Sequence, residues 1–219
     1  MLELDKAVDA AKEMKESNWE DICPFLHVIQ TDKHGLIALP DLGTGPQAWM
    51  ALARVLFELR AMNGPILDVL MVSDARMRQL EKGEQRPDND NLQKKWEDGD
   101  RDGIVECLIL LLVHQDGSVE AAHLPYDAES RTWLEQEDAP DDLQGGMLDA
   151  LRLGAFSLNG DGQKMPMVDN LIETLRANSH LQTGIVEVPL DATTEEQDDA
   201  TDNVVRLADY IDRGEHHAD

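Results

Sequence analysis

Apolar positions along this chain fall into two rhythms, and the switches between them outline its elements. Leu4, Ala7, Val8, Ala11 and Met14 recur at three- and four-residue spacing, which predicts an amphipathic helix over residues 2–16. A strand is expected at Phe25–Gln30, and the polar stretch Thr31 to Gly35 turns it into a second strand at Leu36–Leu39, making a hairpin. Helical spacing returns at Ala48, Leu52, Val55, Leu56, Leu59 and Met62, with Thr44 or Gly45 as cap, Pro46 in the first turn and Asn63–Gly64–Pro65 as stop. The unbroken apolar run Ile66–Val72 reads as a strand buried on both faces.

Residues 81–103 are polar and charged without periodicity, so a loop is expected there. Ile104–His114 then reads as a long apolar strand, returned through Gln115–Asp116–Gly117 into Val119–Leu124 as a second hairpin, and Arg131–Leu134 can add a short strand. Beyond this point the chain turns helical. Leu143, Met147, Leu151 and Ala155 share one helix face, Val168, Leu171, Ile172 and Leu175 share another, and Ile185–Val188 reads as a late edge strand. These elements predict an α+β fold: an antiparallel sheet of two hairpins plus one strand, covered by helices, with a helical C-terminal extension. The organisation expected is a core domain over 1–135, a helical extension over 136–190 and an acidic amphipathic tail helix over 191–219.

The middle of the chain resembles a loose group of uncharacterised bacterial and phage proteins. The resemblance covers residues 25–135 and rests on the hairpin and helix followed by "LDVLMVSDARM", a polar acidic loop and "GIVECLILLLVHQDGSV". Arg76 stands where the group has an aromatic residue. The group has no assigned activity, so the resemblance implies the core boundaries and carries no functional residue over.

Charge changes the picture more than any motif. Nineteen Lys and Arg stand against 45 Asp and Glu, a formal charge of −26. A chain this acidic is repelled by DNA, RNA and anionic membrane surfaces, so direct nucleic-acid binding and membrane binding are not expected, while a basic protein partner is. The charge is uneven: residues 127–149 hold eight carboxylates against one arginine, and residues 191–219 hold ten against two. Two cysteines, Cys23 and Cys107, are too few for a disulfide framework and read as small core residues. With no apolar leader at the amino terminus, a cytoplasmic setting is the expectation.

Candidate chemistry is sparse. Asp98, Asp100, Asp102 and Gly103 reproduce the first half of an EF-hand calcium loop, which wants oxygen ligands at positions 1, 3 and 5, glycine at 6 and a bidentate Glu at 12. Position 12 here is Ile109, inside the expected strand, so the three aspartates are weak metal candidates and an acidic turn is the plainer reading. His216 and His217 read as a frayed terminus rather than ligands. His114 and His123 sit near strand ends and could face one another, and Ser73–Asp74 ends a buried strand. "LNGDGQKMP" lacks phosphate-loop spacing and reads as a turn. No cofactor motif and no catalytic set emerges.

The tail is the most regular segment. Ala200, Val204, Leu207, Ala208 and Ile211 form one narrow apolar stripe, and Glu195, Asp198, Asp199, Asp202 and Asp209 fall opposite it. The function expected is therefore that of a non-enzymatic acidic protein-binding protein of prokaryotic or phage type, in its most concrete form a nucleic-acid mimic that inhibits a basic host protein. The alternative is a small hydrolase or metal-dependent enzyme built on the strand ends between residues 73 and 123 and the Asp98–Asp102 loop. The two differ in geometry: an enzyme needs Asp74, His114, His123 and the loop carboxylates gathered in one place.

Overall fold

The computed structural model describes residues 2–31, 33–39, 45–78, 98, 104–135 and 145–178. Its centre is the pairing of β3 (Ile66–Arg78) with β4 (Ile104–His114), in antiparallel register from Asp68 opposite His114 to Arg78 opposite Ile104. The apolar run predicts that β3 stops at Val72. It continues to Arg78, because the facing backbone of β4 supplies hydrogen-bond partners over its full length, and backbone pairing rather than side-chain hydrophobicity sets where a strand ends.

The hairpin of β1 (Phe25–Gln30) and β2 (His34–Ala38) adds to one side of β3. On the far side of β4 lie β5 (Val119–Asp127) and the short β6 (Thr132–Trp133). The result is a six-stranded antiparallel sheet in the order β2-β1-β3-β4-β5-β6, and the fold is α+β. Between β4 and β5 the turn needs a left-handed residue, and Gly117 supplies it at φ 87°. Its N–H donates to the His114 carbonyl at 2.9 Å while the His114 N–H donates to Ser118 at 3.0 Å.

Alternation along the central strands sends successive side chains to opposite faces, and both faces are covered. Phe25, Leu70, Val72, Leu108, Leu110 and Leu112 pack under α1 (Leu4–Ser17). That helix presents Ala7, Ala10 and Ala11, small side chains that let its backbone lie close to the sheet, and Met14, which fills the remaining space. On the other face Leu26, Val28, Val69, Met71, Leu111 and Val113 meet α2 (Pro46–Asn63) through Leu52, Leu56 and Leu59.

The same second core takes in Leu148, Leu151, Ala155 and Phe156 from α3 (Gly146–Leu151) and the π-helical turn Arg152–Phe156 that continues it. Gly154 is required there: a Cβ at that position would stand 2.8 Å from the Ala53 Cα of α2 and closer still to the Ala53 carbonyl oxygen. Finally α4 (Pro166–Ala177) lies on α2 and buries Ile172. Two residues expected on core faces are not there: Met62 is 40% exposed and Leu171 is 53% exposed. Leu143, the Ile185–Val188 strand and the whole tail lie outside the described residues. Among the described residues no helix is long and apolar enough to cross a membrane.

Candidate functional site

The polar groups of the α1 face gather at two places along β3. At one, Lys15 enters the core completely buried, on the turn of α1 that the helix would otherwise fill with an apolar residue. Its three ammonium hydrogens are all used. Nζ donates to the Glu20 carbonyl at 2.8 Å, to the Asp74 carboxylate at 3.0 and 3.2 Å, and to the Tyr126 hydroxyl at 3.0 Å. The Tyr126 hydroxyl donates in turn to Asp74 Oδ1 at 2.8 Å, and the Ile22 N–H donates to Asp74 Oδ2. Tyr126 meets Trp19 and Trp133 edge to face beside this cluster, and the two indoles meet each other at a tilt.

Burial, reinforced by the Asp74 charge, raises the Tyr126 hydroxyl well above the usual phenol range and pushes the Cys107 thiol up to about 12. Neither group is primed for nucleophilic attack. With every donor and acceptor of Lys15 and Asp74 occupied, the cluster is a clamp joining α1, the segment after it and the sheet.

At the other place, Asp68 is 3% exposed and accepts from the Leu2 N–H at 2.9 Å and pairs with His114 Nδ1 at 2.8 Å. His114 Nε2 pairs with Glu120 at 2.9 Å. Burial alone would lower the His114 pKa, but the hydrogen bonds to Asp68 and Glu120 outweigh it and hold the ring above its ordinary value. Next along the sheet, His27 is 2% exposed, with Nε2 3.4 Å from His34 Nδ1. Burial, then the neighbouring His34, lower the His27 pKa to about 4 against a partial opposing pull from Asp68. His27 Nδ1 has no hydrogen-bond partner among the described residues.

A third cluster ties α4 to α2. Arg60 donates through Nη2 to Asp169 at 2.6 Å and through Nη1 to the hydroxyl of Ser157, a buried residue in the left-handed region at φ 59°. Lys164 reaches the same carboxylate at 3.1 Å. Burial works against the charged Asp169, yet the bonds from Lys164, Ser157 and Arg60 hold its carboxyl below the usual range.

The residues singled out in the sequence do not converge. His114 and His123 do not face each other. His114 shares the α1 face with Asp68, whereas His123 is paired opposite Ile109 and points to the α2 face, since its position along β5 has the other parity. Asp74 and Asp68 are six residues apart on β3, roughly 20 Å at the usual strand rise. Of the loop carboxylates only Asp98 is described, in a turn, while Asp100 and Asp102 lie outside the described residues. Among the described residues no group of three or more His, Cys, Asp or Glu side chains is arranged to hold a metal ion. Glu195, Asp198, Asp199, Asp202, Val204, Leu207, Asp209 and Ile211 also lie outside them, as do His216 and His217.

What the structure does assemble is an acidic ridge. Asp5, Asp9, Glu13 and Glu16 are all exposed on the side of α1 opposite its buried alanines, with Lys6 and Lys12 interleaved among them. Asp5, Asp9 and Glu13 follow one another at four-residue steps, about 6 Å along the axis. Glu16 accepts from the Trp133 indole at 2.7 Å, which fixes that end of the ridge against β6. Like charges at this spacing oppose helix formation by about 0.2–0.5 kcal/mol a pair, and carboxylates in the last turns meet the negative end of the helix dipole. Lys6 and Lys12, each three residues from Asp9, offset that repulsion with opposite-charge pairs of similar size. The signal of the ridge in the sequence is the four-residue recurrence of carboxylates, which the apolar periodicity of the same helix overlies.

No protein-family model, curated protein or solved structure matches this chain.

Proposed function

We propose that this protein is an acidic binding protein that engages a basic protein partner through the outward face of α1. The observation that carries the proposal is the carboxylate ridge on a helix held at both ends. The Leu2 N–H is bonded to Asp68 and Lys15 to Asp74, so Asp5, Asp9 and Glu13 project from a rigid base. A partner that meets pre-positioned charges loses little conformational entropy in arranging them, and the −26 charge of the chain steers a cationic surface toward it over a Debye length of about 8–10 Å.

The more specific version is a nucleic-acid decoy of prokaryotic or phage type. A single DNA strand carries one phosphate per about 3.4 Å of axis, whereas the α1 ridge offers one carboxylate per about 6 Å. The ridge by itself supports an acidic docking surface more strongly than a close copy of a phosphate backbone. A decoy needs a second row of carboxylates beside it, which the tail sequence can provide.

The test compares the wild-type chain with Asp5→Asn/Asp9→Asn/Glu13→Gln as bait in extracts of its host, with elution by salt and by duplex DNA. A basic protein retained by the wild type, lost from the variant and released by either eluent is the expected result. Equal capture by both baits overturns the assignment of the ridge, and captured protein that DNA fails to displace overturns the decoy version.

A further inference from the structure

We propose that the open apolar edge of α4 is the dock for this chain's own C-terminal segment, residues 194–213. Met167, Val168, Leu171, Ile172 and Leu175 span one broad arc of α4, but only Ile172 is buried against α2, while Met167 is 76% and Leu171 53% exposed. The helix is not loosely attached. Arg176 donates to the Ala61 and Arg60 carbonyls at the end of α2, and Arg60 binds Asp169, so the orientation that leaves Met167 and Leu171 in solvent is locked at both ends. Adjacent exposed Met and Leu side chains four residues apart form a continuous patch rather than scattered apolar residues.

The tail sequence has what the patch lacks. Its stripe from Ala200 to Ile211 extends about 16 Å as a helix, against about 18 Å for the twelve residues of α4. Such a helix is marginal alone in water and gains stability by burying its stripe. Residues 179–193 connect the two, and these 15 residues reach up to roughly 50 Å, ample for the chain to fold back antiparallel along α4. In that arrangement Glu195 and Glu196 lie toward the Arg176 end of α4 and Asp212 toward the Lys164 end. Arg176 already pairs with Glu173 and Lys164 with Asp169, so the apolar stripe rather than charge carries the docking. A second copy of the chain is the poorer occupant, because a tethered segment acts at an effective concentration in the millimolar range. Docked this way, Asp198, Asp202 and Asp209 face outward as a second acidic row.

Limited proteolysis of the full chain tests this with two variants, Met167→Asp/Leu171→Asp on the dock and Val204→Asp/Leu207→Asp on the tail. Both dock residues are exposed, so the thermal midpoint serves as the control for an intact fold. Each variant is expected to be cleaved between residues 190 and 213 about tenfold faster than wild type, because cleavage follows the population of the undocked form. Combining all four substitutions is expected to add nothing further. Equal cleavage of wild type and variants overturns the proposal, as does tail release by the tail variant alone. Protection in the wild type that disappears on dilution assigns the edge to a second copy and overturns it too.

Discussion

Asp68 and Asp74 stand on the same face of β3 and hold opposite ends of α1, Asp68 through the Leu2 N–H and Asp74 through the Lys15 ammonium. The two lengths are similar: six strand residues rise about 20 Å, and the eleven helical steps from Leu4 to Lys15 rise about 16.5 Å, with the non-helical Leu2 and Glu3 ahead of them. The pair of carboxylates thus measures out the helix on the strand, and the acidic ridge of α1 inherits its fixed position from them.

The Asp74 end carries the larger energetic stake. Removing one member of a buried ion pair leaves the other uncompensated, so Lys15→Met is expected to destabilise the protein by about 3–5 kcal/mol in urea unfolding. Asp74→Leu acts in the same direction. The double variant should cost clearly less than the two single changes added together, because it strands no charge. Strict additivity would show that the two groups do not act as a pair.

The Asp68 end makes stability depend on pH in two opposed ways. His114 has a raised pKa when folded, so the stability it contributes is fully present below the unfolded value of about 6.5 and is lost as pH rises through the folded one. Its substitution by Gln should therefore flatten the decline of stability on the alkaline side. His27, held at about 4, is the reverse case: the unfolded chain takes up a proton between pH 6.5 and 4 while the fold does not, so stability falls with acidification across that window. The gap corresponds to on the order of 3 kcal/mol. His27→Leu is expected to remove that acid loss, read as a thermal midpoint that drops less between pH 7 and pH 4.5 than in wild type.

Gly154 is the point of closest approach between α2 and the π-helical turn. A methyl group there meets the backbone of Ala53, which has no flexible end to move aside. Gly154→Ala should cost about 1–3 kcal/mol through overpacking. At roughly 2–4 °C per kcal/mol for a chain of this size, the thermal midpoint should drop by several degrees. An unchanged midpoint would mean that α2 and the turn separate more easily than their contact implies.

If the α1 ridge serves binding, its central charge should matter more to a partner than to the fold. Asp9→Asn removes a charge four residues from both Asp5 and Glu13 and three residues from both Lys6 and Lys12, so repulsive and attractive pairs are lost together and stability is expected to change by less than about 0.5 kcal/mol. The same variant should weaken partner binding most at low salt, where exposed charges are least screened. A loss of more than about 1 kcal/mol would show that Asp9 has a structural role.

Several elements are legible in the chain itself. β1 and β4 have the bounds their apolar runs mark, and α2 starts at Pro46 and ends at Asn63 as its proline and Asn-Gly-Pro stop signal indicate. These are local matters: side-chain periodicity, a missing N–H, a turn residue. Lys15 shows where local reading stops. Its position, four residues after Ala11, lies on the buried arc of α1, yet nothing near it in the chain announces Asp74, 59 residues away, as the group that lets a charge sit there. β3 runs past Val72 because β4 lies alongside it, and His123 turns from His114 because pairing register assigns faces. A strand's own sequence gives its alternation but not its neighbour, and a buried charge or a strand end is decided by which neighbour arrives. The packing of α1, α2 and the later helices on the two faces of one sheet sets where each polar side chain can find a partner, and that long-range pairing belongs to the tertiary structure alone.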